Sequence, residues 1–370
     1  MSAPGRSFSA STLTLTLTFA SASTCLYALF VVAWYLARLV WGDRYWWLAG
    51  LNSFATLLFL PAPLALIAAA VPRGGFAPAW RRAIYIAALV PVVLWVGLFG
   101  WRFLPRVPRS VGSEAAMRVM AFNLLASNGN VDGIIAAIEA GQPDLLALSE
   151  LTPAMDAALA NRLAAIFPYR TQQTLTGASP GVGIYSRWPL ANLPSGSGPA
   201  SGSLQTGLGL RSAAADVRTP HGDVRFVALH PRATLVRGGS LREIAHNVET
   251  AFRSREAQIA AVCRHLAQWG DRQVILAGDF NMTEFSDAYR CVASHLHDAY
   301  REVGLGFGHT WPDGEADQAP WSGRLWLPPL TRIDYVFHSR HWVATEARVL
   351  AVETGSDHRP VVATLRWIPQ

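Results

Sequence analysis

Apolar and polar positions are distributed unevenly along this chain, and the unevenness divides it in two. Three stretches near the front carry no charged residue: Ser7 to Ala37, Tyr45 to Val71 and Ala83 to Trp101. Each is long enough to cross a hydrocarbon core of about 30 Å, which takes roughly 20 helical residues. The blander alternative is a cleaved leader followed by buried core helices. Three apolar runs in succession, with tryptophans at 41, 46, 47 and 101 near their boundaries, favour a membrane anchor instead. The pattern predicts three transmembrane helices within residues 1–110, meeting the lipid bilayer through residues 7–101.

Beyond the Pro/Arg-rich stretch Leu104 to Ser110 the runs shorten to strand length, and residues 111–370 read as one domain. Strands are expected at Met117–Leu125, Asp144–Leu148, Gly181–Ser186, Val224–Leu229, Gln273–Ala277, Ile333–Phe337 and Val361–Leu365. A helix fits Asp132–Ala140, with Asp132 as its N-cap and Gly141 and Pro143 ending it. A long helix fits Arg242–Trp269, where Ile259, Val262, Leu266 and Trp269 recur every three to four positions. Ser195 to Gly209, rich in Gly and Ser, reads as a loop. Several strands follow one another with no helix between them, which favours a layered α/β sandwich over a strict βαβ repeat.

Charge sharpens the division. The net charge is +6, yet residues 1–110 hold nine arginines and one aspartate, leaving the domain at −2. The domain therefore lacks the bulk positive charge of a protein that binds duplex nucleic acid without sequence preference. Arginines on the two sides of the apolar runs nearly balance, so the positive-inside rule orients the anchor weakly. The short loop Pro72 to Arg82 is the cleanest cytoplasmic candidate, which puts the C-terminal domain outside. Cys25 lies in the first apolar run, while Cys263 and Cys291 read as small packing residues, with no Cys/His spacing for zinc.

Polar residues stand at the ends of the expected strands, where a sheet rim forms clefts. Asn123 ends the first strand, and Glu150 emerges from the apolar run Leu145 to Leu148. A carboxylate there needs a partner, either an arginine or a divalent cation whose shell an Asn carbonyl and waters complete. His230 ends a strand and precedes Arg232, which suits a phosphate better than it suits packing. The turn Gly278-Asp279-Phe280-Asn281 sends an acid and an amide toward one cleft, where they can orient a water and a phosphate oxygen. Asp334 lies inside an apolar strand and requires a hydrogen-bonding partner, for which His358 in Ser356-Asp357-His358 is the candidate.

In order, Asn123, Glu150, His230, the Gly-Asp-Phe-Asn turn, Arg332-Ile-Asp334 and Ser-Asp-His resemble the endonuclease/exonuclease/phosphatase superfamily over Met117 to Trp367. That superfamily includes apurinic endonucleases, pancreatic-type deoxyribonucleases, neutral sphingomyelinases and inositol-phosphate phosphatases. The resemblance implies a four-layer α/β sandwich of two mainly antiparallel sheets flanked by helices, and Mg²⁺-dependent phosphoester cleavage, with Mn²⁺ as a substitute. It casts Glu150 as principal metal ligand supported by Asn123 and Asp357, Asp279 and Asn281 as positioning groups, and His358, held by Asp334, as base or phosphate stabiliser. His230 matches the position that is His in the deoxyribonuclease and sphingomyelinase branches and Tyr in apurinic endonucleases. Ser149 stands where relatives often carry Gln, and the anchor lies outside the resemblance.

The substrate is open at this level. A membrane-held phosphodiesterase would act on lipid headgroups or small diesters. A nuclease facing outside would use Arg232, Arg237, Arg242 and Arg359 as a basic rim, with Arg232 and Arg359 nearest the substrate. A silent, membrane-tethered binding domain is the third reading, and the complete polar set argues against it. Trp311, Trp321 and Trp326 either line a loop on the substrate side or pack over a sheet edge.

Overall fold

The computed structural model describes residues 10–71, 76–106, 116–173, 180–192, 211–234, 240–313 and 328–368. Loop 195–209, Arg73, Arg237, Trp321 and Trp326 lie outside these residues. The chain forms two compact units, Met1–Phe103 and Leu104–Gln370.

In the first unit, α1 (Ala10–Trp41) and α4 (Pro78–Phe99) are the long apolar helices. Leu15–Trp41, within α1, and Pro78–Phe103, α4 with the turn after it, are long and apolar enough to cross a membrane. The middle run departs from the single straight helix its composition suggests. It splits into α2 (Trp46–Ser53), a 3-10 turn (Ala55–Phe59) and α3 (Ala62–Ala70), bent by 70°. Two local causes are visible. Pro61 and Pro63 interrupt backbone donation between the 3-10 turn and α3, while the 70° bend itself falls at Ser53–Ala55. Asn52, buried, donates to Asp43 Oδ1 at 2.7 Å and accepts from Trp34 Nε1 at 3.1 Å, which fixes the break. Large apolar side chains such as Leu26, Leu60, Ile67 and Val93 face outward, as lipid-facing positions do.

The second unit is a four-layer α/β sandwich. One sheet has the order β11-β12-β1-β2-β4-β3, built from β1 (Ala116–Asn123), β2 (Leu145–Leu151), β3 (Tyr169–Gln173), β4 (Gly181–Ser186), β11 (Trp342–Val349) and β12 (Val361–Trp367). The other has the order β5-β6-β7-β8-β10-β9, from β5 (Leu190–Asn192), β6 (Arg211–Thr219), β7 (Gly222–His230), β8 (Val274–Asp279), β9 (His297–Asp298) and β10 (Asp334–His338). Each sheet contains one parallel pair, β1 with β2 and β7 with β8, among antiparallel ones.

Alternation along the strands builds three apolar layers. Val119, Ala121, Ala147 and Ile184 meet Phe226, Ala228, Ile275 and Ala277 between the sheets. Met120, Phe122, Leu146 and Leu148 turn the other way, onto α5 (Val131–Gly141) and α6 (Pro153–Leu163). Val227, Leu229, Leu276 and Phe337 pack on α7 (Leu241–Trp269) and α8 (Asp287–Ala293). Strands covered on both faces read as continuous apolar runs, which is why β2 and β8 stand out in the sequence. The N-cap of α5 is Asn130, whose side chain accepts from Gly133 N at 2.9 Å, and Asp132 falls within the first turn.

Cys263 on α7 and Cys291 on α8 are joined as a disulfide with Cα atoms 6.3 Å apart, so they do more than fill space. Both helices cover the same sheet face, and that shared packing brings the two thiols together. The closed loop of 28 residues contains β8 and the Gly-Asp-Phe-Asn turn. Reduction is expected to lower stability by about 3–4 kcal/mol through regained loop entropy. Urea unfolding of the protein with and without dithiothreitol, in the same detergent, measures this.

Candidate functional site

Topology explains why the polar residues converge. The parallel strands β1, β2, β7 and β8 all end at one rim of the sandwich. Their antiparallel partners start at that rim: Val361 of β12 pairs with Ala121, and Asp334 of β10 pairs with Asp279. Asn123, Glu150, His230 and Asp279 therefore leave strand ends while Asp334 and His358 enter strand beginnings, and six distant segments share one cleft.

Asn123 is the hub. Its buried amide nitrogen donates to Asp279 Oδ2 at 2.9 Å and Glu150 Oε1 at 3.3 Å, and lies 3.5 Å from His358 Nε2. Its own Oδ1 accepts from Leu125 N at 3.0 Å. Glu150 has φ +56° and sits at a register shift between β2 and β4, a left-handed conformation unfavourable for a side-chain-bearing residue. The distortion turns the carboxylate into the cleft, where Ala126 N donates to Oε2 at 2.9 Å. His230 Nε2 lies 3.5 Å from Asp279 Oδ2 and 3.8 Å from Glu150 Oε1.

The Asp334–His358 pair forms as expected, with His358 Nδ1 2.9 Å from Asp334 Oδ2. Both residues are buried. Asp357 lies at the same site, its Oδ1 3.9 Å from His358 Nε2 and its Oδ2 accepting from Trp311 Nε1 at 3.3 Å. Asn281, at φ +50°, donates from Nδ2 to Pro231 O at 3.1 Å and Asp279 Oδ2 at 3.3 Å. In this geometry its amide braces two turns. Arg232 is exposed at the rim, whereas Arg359 NH2 donates to Asp313 Oδ1 at 3.1 Å. Arg332 faces away from the cleft: buried, it donates to Asp298 Oδ1 at 3.0 Å and Glu284 Oε1 at 2.7 Å, anchoring the start of β10.

The electrostatics separate the acids. Burial alone would raise the Glu150 carboxyl, but His230, the Ala126 N–H, His358 and Asn123 together hold it below the usual range. Burial pushes Asp279 up to about 7, with Asp334 adding to the rise and His358 opposing it. Burial would lower His358, but Asp334 and Asp279 outweigh it and raise the imidazole to about 10. The surroundings thus favour the ionised form of Glu150, a proton shared near neutrality on Asp279 and the charged form of His358.

The carboxylates gathered here suit a divalent cation. Among the described residues Asp279, Asp334 and His358 bring ligand atoms within 4.8 Å of one another. Asp334 Oδ1, buried, has no hydrogen-bond partner. Glu150, held ionised, adds carboxylate oxygens beside this group. Sequence reasoning missed Ser356, whose Oγ donates to Asn123 O at 2.7 Å and accepts from His358 N at 3.1 Å. It also missed Thr310, whose Oγ1 accepts from Ile333 N at 3.2 Å and Asp334 N at 3.4 Å. Ser356 stood within the Ser-Asp-His tripeptide and could have been found there; Thr310 carried no comparable signal.

Residues 120–358 match the sequence profile of the endonuclease/exonuclease/phosphatase family, and the chain belongs to that family. Solved structures of similar fold include an endonuclease/exonuclease/phosphatase from Beutenbergia cavernae, with 23% identity, TM-score 0.47, and coverage of 68% of this chain and 72% of that one. Another, from Bacteroides vulgatus, has 17% identity, TM-score 0.49, and coverage of 69% of this chain and 100% of that one. D. rerio TDP2, solved with a single-strand DNA product, has 16% identity, TM-score 0.48, and coverage of 68% and 100%. No curated protein matches the chain.

The raised His358 value has a definite sign. A proton bound more tightly in the fold stabilises it fully below pH about 6.5, and that stabilisation is lost as pH rises through about 10. In metal-free protein, Asp334→Asn is therefore expected to cost most stability near pH 6 and least near pH 10. Urea midpoints at the two pH values check this; an equal cost at both would contradict it.

Proposed function

We propose that the chain is a membrane-anchored, Mg²⁺-dependent phosphodiester hydrolase. The observation that carries this is Asn123 donating to both an ionised Glu150 and a near-neutral Asp279, beside the imidazolium of His358. Glu150 and Asp357 would hold the cation through carboxylate oxygens, which suit Mg²⁺; Asn123, expected to join them, has its Oδ1 engaged by Leu125 N and instead steadies Glu150 through Nδ2. His358 suits it poorly, since Nδ1 is engaged by Asp334 and the ring is protonated. When bound, the cation supplies Lewis-acid polarisation of a phosphoryl oxygen.

The remaining chemistry belongs to the side chains. Asp279 orients the attacking water and takes its proton at Oδ2, a role suited to a carboxyl raised to about 7. His358, charged and fixed by Asp334, meets the developing negative charge and favours the stabilising over the basic role. His230 flanks the same space, and Arg232 at the rim meets a substrate phosphate. Asp334 holds the ring, and Asn281 keeps Asp279 against the His230 turn.

The domain's charge balance of −2 and its tether favour small diesters or lipid headgroups over duplex DNA. The Cys263–Cys291 disulfide supports an extracytoplasmic domain, because such bonds persist in oxidising compartments.

Full-length protein in detergent should hydrolyse bis-p-nitrophenyl phosphate and a phosphodiester lipid headgroup with Mg²⁺, and leave plasmid DNA intact. Glu150→Ala and His358→Ala should each lower kcat/KM on the order of 10³-fold while the protein stays folded. Full activity in either variant would sink these roles, and efficient plasmid nicking would replace the substrate class. Protease added to intact spheroplasts should remove the domain; complete protection would put it in the cytoplasm.

A further inference from the structure

Two buried side chains of α7 lie outside the chemistry assigned above. Arg255 is 2% exposed and Gln258 is 1% exposed, and they stand one helical turn apart on the same face. A guanidinium at that depth requires fixed partners. Arg255 NH1 donates to Asn281 O at 2.5 Å, and its Nε and NH2 donate to Glu256 Oε1 at 3.3 and 3.0 Å. Gln258 Oε1 accepts the backbone N–H of Arg232 at 2.9 Å.

The backbone groups held in this way belong to the two turns of the cleft, one following His230 and the other following Asp279. The turns are also linked directly, through Asn281 Nδ2 and Pro231 O at 3.1 Å. Asn281 occupies a left-handed conformation at φ +50°, which its surroundings must enforce. Its carbonyl is the group that Arg255 grips. One rigid helix therefore fixes both turns, and through them the 3.5 Å approach of His230 Nε2 to Asp279 Oδ2.

We propose that Arg255 and Gln258 are positioning residues for this site, acting through Asn281 O and the Arg232 N–H without touching substrate. The kinetic consequence rests on the hydrolytic reading given above; the geometric consequence does not. Ordinary packing residues would lower stability when replaced and leave turnover per folded molecule unchanged.

Four variants of the full-length protein test this. Arg255→Met and Gln258→Met remove the donor and the acceptor, while Arg255→Lys and Gln258→Glu keep them. With bis-p-nitrophenyl phosphate and Mg²⁺, the Met variants should lose kcat on the order of 10²-fold, with KM changed less than about 2-fold. The Lys and Glu variants should recover most of that kcat. Amide hydrogen exchange in segments 229–233 and 278–282 should quicken at least about 10-fold in the Met variants alone. Wild-type kcat in the Met variants would overturn the proposal, as would losses in all four that simply track the thermal midpoint. If the wild-type protein cleaves no diester, the hydrolytic reading fails and exchange decides alone: quickening confined to the Met variants supports positioning, and unchanged exchange refutes it.

Discussion

The hydrogen bond between Asp334 and His358 is the constraint on which the cleft depends. Asp334 begins β10 in one sheet, and His358 lies three residues before β12 in the other, so a 2.9 Å contact joins the rims of both layers. An imidazole buried among apolar groups would ordinarily lose its proton. Asp334 and Asp279 reverse that tendency, and the resulting positive charge in turn makes a concentration of carboxylates tolerable. Removing one partner would leave a buried charge uncompensated, a loss larger than that of an exposed ion pair. Ser356 extends the same junction by tying the backbone of His358 to Asn123 O.

Around this junction the backbone adopts conformations it would avoid elsewhere. Glu150 and Asn281 have positive φ, and each is held by named contacts. Gly278 has φ +140°, and a Cβ there would lie 2.1 Å from Leu229 O, so only glycine lets β8 pass β7 at the rim. These distortions coincide with the residues proposed for chemistry, while the strands behind them follow regular alternation. Buried Arg332, fixed by Glu284 and Asp298, shows the complementary strategy: a charge used to hold the start of β10 from outside the cleft.

Much of this was legible in the sequence, for physical reasons that differ by element. Strands such as β4, expected and found at Gly181–Ser186, announce themselves because both faces are buried. The Asp334–His358 contact was legible because an acid inside an apolar strand requires a partner and an imidazole stood at another strand's mouth. The strands β6 and β11 escaped notice, since their polar residues interrupt the apolar pattern. The bend between α2 and α3 was equally hidden: hydropathy records length and polarity, whereas the break depends on Asn52 meeting Asp43. The bracing role of the Asn281 amide, the Cys263–Cys291 bond and the grip of α7 on two turns are matters of tertiary distance, which residue identity does not encode.

The central claim is that this constellation hydrolyses phosphodiesters with a divalent cation. The most direct measurement is p-nitrophenol release from bis-p-nitrophenyl phosphate by the full-length protein, followed as Mg²⁺ is removed with EDTA and then restored. Turnover should disappear with EDTA and return with Mg²⁺. Turnover indifferent to EDTA, or none at any Mg²⁺ or Mn²⁺ concentration in protein shown to be folded, would contradict it.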